Sequence, residues 1–305
     1  MASAALSPVL ASTWKSCRTW SQTSRELKAS LDRWRLWTLV LAVAGAILVT
    51  LGQQLGSLAA IIGPWAGPVG KIVGLGGAAA IALSAYFARE ALSDESVLRW
   101  TKCRSTAESL KASIYLYRAG VPPFDDTDRD EKLIDRRAAI EDAMEGMEPL
   151  VPQTEDKGVD LSPMSAGNYI QQRANDQIQF YRGRSDEYQK KIRALRQIVL
   201  WLGAVAVILG VVAALKPLVA GWTAVIATVT AAVSSHVQSQ RYQSLIAAYQ
   251  STARRLETLR DKWEAGGEAE ANQNTFIQSC EDTMALENSA WVTQWSQRKP
   301  PGQKP

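Results

Sequence analysis

Residues 198–215 read IVLWLGAVAVILGVVAAL, an unbroken apolar stretch with no charged side chain. A helix rises ~1.5 Å per residue, so this stretch extends about 27 Å, close to the ~30 Å hydrocarbon core of a bilayer. A Lys-Pro turn and a second apolar stretch, 218–235, follow directly. Trp201 and Trp222 stand near opposite ends of the pair, where the interfaces of a bilayer favour tryptophan. The segment 198–237 therefore predicts a hairpin of transmembrane helices.

An earlier part of the chain repeats this arrangement, with apolar stretches at 36–52 and 70–88 that contain one charged residue, Lys71. The predicted fold class is therefore all-α and integral membrane, with four transmembrane helices in two hairpins, the first at 36–88. The turn of this first hairpin, 53–69, is long and apolar, which fits either an interfacial helix or a re-entrant segment. Four buried core helices of a soluble protein are the disfavoured alternative, because no polar face repeats along the stretches.

Basic residues stand mainly before, between and after the two hairpins, whereas the turns contribute little more than Lys71 and Lys216. By the positive-inside rule, both termini and the middle segment are predicted to be cytoplasmic. The three scattered Cys fit a reducing compartment and argue against a disulfide framework. Lys and Arg total 34 and Asp and Glu total 30, so the net charge of +4 argues against a generic nucleic-acid binder.

Apolar residues outside the hairpins recur at steps of three and four, which indicates cytoplasmic helices in a coiled coil or helical bundle. Pro or Gly pairs separate some of these helices, as at 122–123 and 266–267. In chain order, the predicted segments are an N-terminal cytoplasmic helix at 1–35, the first hairpin at 36–88, cytoplasmic helices at 89–148, a linker at 149–163, a helix leading into span three at 164–197, the second hairpin at 198–237, cytoplasmic helices at 238–298 and a disordered tail at 299–305.

No set of side chains combines matched acid, base and nucleophile roles, so we expect no enzymatic activity, no cofactor and no metal. His236 is the only histidine and stands at the end of span four, either as a pH-responsive gate or as an interfacial polar residue. The segment 67–71 resembles a phosphate-binding loop but lacks its first Gly and its magnesium-binding Ser or Thr. Asp126, Asp128 and Asp130 are spaced as in a calcium loop, but the required Gly and the bidentate Glu are missing.

Two sets of residues within the spans are candidates for function. Small residues at steps of four allow helices to approach closely, and those predicted to do so are Gly70, Gly74, Ala78, Ala220 and Ala224. Hydroxyl side chains follow one stripe of span four, and in an assembly of several subunits such a stripe could line a narrow pore. The candidate pore-lining residues are Thr223, Thr230, Ser234 and His236. The alternative is that the hydroxyl groups satisfy their own helix backbone and pack.

A short repeat links the two halves of the chain. Residues 105–110 and 251–256 share the pattern S-T-A-x-x-L, and each copy follows the second span of its hairpin by about 20 residues. The shared pattern at equivalent places indicates a tandem duplication. Both copies run in the same direction, unlike the inverted repeats of many transporters.

The order and spacing of residues in the second half resemble the bacterial SLATT families, the SMODS- and SLOG-associating two-transmembrane effector domains. The residues that carry this resemblance are 168–173 (NYIQQR), Asp176, Gln177, 180–182 (FYR), Tyr249, Thr252, Ala253, Leu256, Glu287 and Trp291. The first half resembles a sister SLATT type through Trp100, Arg104, 107–111 (AESLK) and 122–124 (PPF).

This resemblance implies two tandem effector domains in a multi-pass protein of the bacterial plasma membrane. SLATT domains are proposed to form pores that kill or arrest the cell when a nucleotide-signal system is activated, often in phage defence. The implied partners are the lipid bilayer, further copies of the chain, and a trigger protein or nucleotide signal, because no sensor domain is fused to the hairpins. A non-conducting membrane scaffold that presents a coiled-coil interaction module is the alternative function.

Overall fold

The computed structural model describes residues 7–91, 93–150, 160–216, 219–266 and 270–296. Within these ranges the chain is almost entirely helical and contains no strand, so the predicted all-α fold class is confirmed. The centre of the predicted linker (151–159) and the predicted disordered tail (299–305) lie outside the described residues.

The helices follow one another in a simple order. They are α1 (Pro8–Ser57), α2 (Ala59–Ile62), α3 (Ala66–Ala91), α4 (Asp94–Ala119), α5 (Arg129–Asp142), α6 (Ala166–Tyr169), a π-helical turn (Ile170–Ala174), α7 (Asn175–Leu215), α8 (Ala220–Ser239), α9 (Tyr242–Ala265) and α10 (Glu270–Ser296).

Four helical stretches are long and apolar enough to cross a membrane, as the hydropathy pattern predicts. They are Pro8–Ser57, Ala66–Arg89, Ala166–Leu215 and Ala220–Ala265. In the most apolar 18-residue window of each stretch, the share of residues that are buried within the chain is 17%, 11%, 0% and 11%, respectively. Their side chains therefore face outward to an extent that a core helix of a soluble domain would not.

The turn of the first hairpin is shorter than the predicted range 53–69. Helix α1 continues to Ser57, α2 forms a single turn, and α3 already begins at Ala66. The break falls at Gly63, whose positive φ of 129° is open to glycine, and at the following Pro64, which cannot donate a backbone hydrogen bond. The leucines and alanines on either side are good helix formers, which explains why the helices extend into the predicted turn.

The chain divides into two compact units. One, here called the bundle unit, comprises Met1–Ala29, Asp94–Ser185 and Ile246–Pro305. The other, here called the membrane unit, comprises Ser30–Ser93 and Asp186–Leu245 and contains the apolar parts of α1, α3, α7 and α8. Helices α1, α7 and α9 each contribute residues to both units.

The bundle unit has a hydrophobic core built from several helices. The side chains of α1, α4 and α5 meet in it, together with Phe124 from the α4–α5 connection and Met144 and Leu161 from the segment between α5 and α6. Its buried members are Leu10, Cys17, Trp20, Cys103, Ala107, Leu110, Ile114, Tyr117, Phe124, Leu133, Met144 and Leu161. On α4 these members recur at steps of three and four, as expected for one buried face of a helix.

In the membrane unit, α1 and α3 pack with their backbones nearly in contact. A Cβ atom added at Gly52 would lie 2.6 Å from both the carbonyl oxygen of Gly70 and the amide nitrogen of Gly74. A Cβ atom added at Gly45 would lie 2.8 Å from the carbonyl oxygen of Gly77. The two helices therefore run antiparallel and approach at positions where a larger residue has no space.

Candidate functional site

The bundle unit contains a largely buried network of charged and tyrosine side chains from α4, the continuous stretch from α6 through the π-helical turn into α7, α9 and α10. Helix α4 contributes Arg104, Glu108 and Tyr115, whose spacing of four and seven places them on one face. Helix α10 packs along α4 in the opposite direction, since Gln278 donates to the carbonyl oxygen of Pro122 (3.2 Å) while Asn288 donates to Ser105 (3.1 Å). This antiparallel register sets Glu287 of α10 against Arg104 of α4.

One arm of the network is a closed ion pair between Arg173 and Glu281. Arg173 donates from Nε to Oε1 and from Nη2 to Oε2, both at 3.0 Å, and Tyr169 donates its hydroxyl to Oε1 at 2.8 Å. The side chains of Arg173 and Glu281 are only 2% and 3% exposed. Two parallel hydrogen bonds to a carboxylate are the strongest geometry available to an arginine, and here they form away from water.

The π-helical turn between α6 and α7 positions this arm. The turn comprises Ile170–Ala174 and inserts an extra residue into the helix, so that Arg173 and Ala174 are both buried. The guanidinium of Arg173 also lies over the ring of Tyr115, 4.7 Å from its centroid, in a cation–π arrangement. Its Nη1 is buried and has no hydrogen-bond partner among the described residues.

The second arm, between Arg104 and Glu287, is looser. Arg104 Nη2 lies 3.9 Å from Glu287 Oε2, and the hydroxyl of Tyr181 donates to the same oxygen at 3.5 Å. Glu287 Oε1 is buried and has no hydrogen-bond partner within the described part of the chain. Arg104 also forms a side-chain hydrogen bond with Tyr249 of α9. This arm thus leaves a buried carboxylate only partly compensated.

Glu108 lies between the arms and connects them electrostatically. Burial by itself would raise its pKa, but the positive charges of Lys111, Arg173 and Arg104 outweigh burial and lower it. The pKa of Glu287 is instead raised, because burial and the negative charge of Glu108 exceed the effect of Arg104. The two carboxyl groups therefore differ in their tendency to carry charge.

The nearby thiol and hydroxyl groups are not arranged for nucleophilic chemistry. Cys280 precedes Glu281 on α10, and burial raises the pKa of its thiol to about 12, so the thiol stays protonated at neutral pH. Burial also raises the pKa of the hydroxyl group of Tyr115. The arrangement fixes the register of α4, the π-helical turn and α10, and offers no activated nucleophile to a substrate.

The predicted pore-lining residues all lie on α8 of the membrane unit and are partly buried. Thr223, Thr230 and Ser234 fall on one face, whereas the two-residue step from Ser234 to His236 places the histidine on the other side of the helix. Thr223 donates to the carbonyl oxygen of Ala220 (2.6 Å) and Thr230 to that of Ile226 (2.8 Å). The charged neighbours of His236 are Arg35 and Asp32 of α1.

The predicted helix-packing residues occupy different environments. Gly70 is buried against Gly52, and the backbone of Gly74 lies beside the same glycine. Ala78 of α3 is exposed, so the face along which α1 and α3 approach does not pass through it. Ala220 and Ala224 are exposed on α8, which is not part of this contact. The face of approach between the two helices passes through Gly45 and Gly52 on α1 and Gly70 and Gly77 on α3. The two glycines on each helix are seven residues apart, a spacing that a search for small residues at steps of four does not detect.

The three aspartates that follow a calcium-loop spacing have other partners. Asp126 and Asp128 both pair with Lys132, and Asp130 accepts hydrogen bonds from Tyr117 and Ser7. Among the described residues, no group of three His, Cys, Asp or Glu side chains is placed to hold a metal ion.

Sequence reasoning did not identify the buried network as a site. Arg104 and Glu287 entered the sequence analysis only as residues that carry a family resemblance. Several network residues had been noted only for their part in a family resemblance, among them Tyr169, Arg173 and Tyr181. A usable signal was the placement of Arg104 and Glu108 directly beside the apolar stripe of α4, where charged side chains become partly covered when a second helix packs.

Comparison with protein families matches one region in each half of the chain. Residues 169–291 match the family of SMODS and SLOG-associating 2TM effector domain 1, and residues 18–132 match a family described as protein of unknown function (DUF4231). Neither match covers half of the chain. The predicted SLATT similarity is thus confirmed for the second half, while the first half is similar to a different family. No curated protein and no solved structure matches the chain.

Proposed function

We propose that this chain is a membrane effector of a bacterial conflict or defence system, and that several copies assemble into a pore controlled through the cytoplasmic helices. The observation that carries the proposal is the similarity of residues 169–291 to a two-transmembrane effector domain. That region contains the apolar hairpin of α7 and α8 and the residues of the buried network that lie outside α4.

The exposure of the spans supports assembly. No residue in the apolar window of the α7 stretch is fully buried within one chain, and only one stripe of it is partly covered, namely Val199, Leu202, Ala206, Leu209 and Ala213. Most of its surface therefore faces lipid or other copies. Helices α1 and α3 touch backbone to backbone, which leaves no aqueous space between them. A conducting path would therefore form between copies of the chain, in a ring of subunits, and we place the hydroxyl face of α8 along it.

The continuity of α7 supports control by the bundle. This helix runs without a break from Asn175 to Leu215, so it carries Tyr181 of the network at one end and an apolar span at the other. A trigger protein or a nucleotide signal that shifts the network would turn or tilt α7, because a helix transmits such a movement along its axis. The termini and the bundle unit are assigned to the cytoplasm of a bacterial cell, on the basis of the flanking basic residues.

We also propose that the halves are diverged tandem copies of one module. The order α1, α3, α4, α5 corresponds to α7, α8, α9, α10, with a long helix first in each half. Within the shared S-T-A-x-x-L pattern, Thr106, Ala107 and Leu110 are buried, as are Thr252, Ala253 and Leu256. Equivalent positions that are buried on equivalent helices are expected from duplication of a folded unit.

Membrane depolarisation in bacteria that express the chain tests the pore. Wild type should depolarise the cells, and the variant Thr223→Leu/Thr230→Leu/Ser234→Leu should do so much less at equal membrane abundance. Thr228→Leu is the matched control, since Thr228 is exposed on another face of α8 and also donates to its own backbone, at Ala224. Equal depolarisation by wild type and triple variant would remove the hydroxyl face from the pore lining.

The alternative function is a non-conducting scaffold that presents the bundle unit to partners. It is favoured by the hydroxyl groups of Thr223 and Thr230, which donate to carbonyl oxygens of their own helix, as in packed helices without a pore. Oligomeric state in detergent separates the functions. A ring of subunits supports the pore, and a stable monomer or dimer supports the scaffold.

A further inference from the structure

The outward face of α7 changes from basic to apolar within a few helical turns. Lys190, Arg193 and Arg196 are exposed, and Leu200 and Trp201 follow with exposed fractions of 72% and 74%. All of these residues belong to the membrane unit. The opposite side of the helix carries the residues that are packed within the chain, such as Tyr188 and Ile192.

The spacing of these residues matches the layers of a bilayer. Five residues separate Arg196 from Trp201, which corresponds to about 7.5 Å along a helix. The headgroup layer on each side of the ~30 Å hydrocarbon core is roughly 5–8 Å thick, and tryptophan favours the boundary between the two. With Trp201 at that boundary, the guanidinium of Arg196 reaches the level of the lipid phosphates. Arg193 and Lys190 lie about 4.5 and 9 Å farther out along the helix, still within the ~8–10 Å over which a charged surface acts at physiological salt.

The local charges favour an anionic ligand. Glu187 pairs with Lys191 at 2.7 Å, which leaves Asp186, exposed one turn before Lys190, as the carboxylate beside these three basic side chains. Among the described residues, no carboxylate pairs with Lys190, Arg193 or Arg196. Guanidinium and ammonium groups bind phosphate oxygens through charge-assisted hydrogen bonds. A zwitterionic headgroup would bring a cation beside these side chains, whereas an anionic headgroup does not.

We propose that this face of α7, residues 190–201, binds the headgroups of anionic phospholipids, and that the chain selects them over zwitterionic lipids. Each basic residue near an anionic surface strengthens binding about fivefold, and loss of all three should weaken it on the order of a hundredfold. The interaction is electrostatic, so it should also weaken as the salt concentration rises. The proposal does not depend on whether the chain conducts ions.

Native mass spectrometry of the full-length protein in nonionic detergent tests this, with phosphatidylglycerol and phosphatidylcholine as the probes. Wild type should retain phosphatidylglycerol preferentially, and Lys190→Gln/Arg193→Gln/Arg196→Gln should lose the preference. The matched control is Arg136→Gln/Arg254→Gln/Arg255→Gln, which removes three exposed positive charges from the bundle unit and should keep it.

Three outcomes would overturn the proposal. The first is equal retention of the two lipids by wild type. The second is an unchanged preference in the α7 variant, provided that circular dichroism shows wild-type helicity for both variants. The third is an equal loss in the α7 variant and the control, because the effect would then come from net charge and not from this face.

Discussion

The bundle unit and the membrane unit hold their helices together in opposite ways. In the bundle unit, α4 and α10 meet through large side chains and a buried network of arginine, glutamate and tyrosine. In the membrane unit, α1 and α3 meet through glycines, with almost no side chain between the backbones. The contact between α4 and α10 depends on paired opposite charges, whereas the contact between α1 and α3 depends on residues that have no side chain.

The difference follows from the surroundings of each unit. In water, the hydrophobic effect drives helices together, and buried charges then discriminate between registers because an unpaired charge is costly. In lipid, the surroundings are as apolar as the helices, so association relies on van der Waals packing at close range. The two units should therefore respond differently to substitutions that are equally conservative in size.

The largest effect is expected at the closed arm of the network. Glu281→Gln removes the charge that compensates Arg173, whose side chain is only 2% exposed, and should lower the free energy of unfolding by about 3–5 kcal/mol. Titration of the detergent-solubilised protein with SDS, followed by circular dichroism, measures this. The control is Glu257→Gln, which breaks the partly exposed pair with Arg182 and should cost less than about 1 kcal/mol. Similar losses in both variants would mean that burial does not set the importance of the pair.

Smaller changes in stability are expected in the membrane unit, and they should have opposite signs at two glycines. Gly52→Ala places a methyl group 2.6 Å from backbone atoms of Gly70 and Gly74 and should destabilise the protein by about 1–3 kcal/mol. Gly74→Ala meets open space and should leave stability unchanged or raise it by up to about 1 kcal/mol, since Ala is the better helix former. The same titration measures both, and a loss at Gly74 equal to that at Gly52 would contradict the close contact.

The same contrast explains what the sequence could predict. Four apolar stretches of membrane length are visible in the chain itself, because length and hydropathy are local properties. Which glycines of α1 and α3 meet depends on the hairpin register, which the turn around Gly63 helps to set. A spacing of four and a spacing of seven both fit the sequence, and only the packed helices distinguish Gly77 from Ala78.

The buried network was less predictable still. Arg173 and Glu281 are 108 residues apart, and the burial of Arg173 is associated with the π-helical turn, for which the sequence gives no clear signal. A charged residue beside an apolar stripe is usually solvated, so Arg104 and Glu108 resembled an ordinary exposed edge of α4. Their partial burial follows from the position of α10, which is a long-range property of the fold.

The smallest expected effect is a change with pH in the stability that Glu287 of the looser arm contributes. The pKa of Glu287 is raised above the ordinary value of 4.5, so between these two values the folded state binds more protons than the unfolded state. The stability contributed by Glu287 is therefore present below 4.5 and is lost as the pH rises through the raised pKa. For Glu108 the sign is opposite, because its lowered pKa contributes stability above 4.5 that is lost as the pH falls.

Comparison of wild type with Glu287→Gln isolates the pH-dependent contribution of Glu287, since Glu108 is present in both proteins. At neutral pH the variant should lie within about 1 kcal/mol of wild type, because only a long hydrogen bond and a loose ion pair are lost. Below pH 4.5 the wild type should gain stability relative to the variant when SDS titrations are repeated across the pH range. A difference that stays constant, or that grows as the pH rises, would show that Arg104 compensates Glu287 as fully as Arg173 compensates Glu281, and the two arms would then be equivalent.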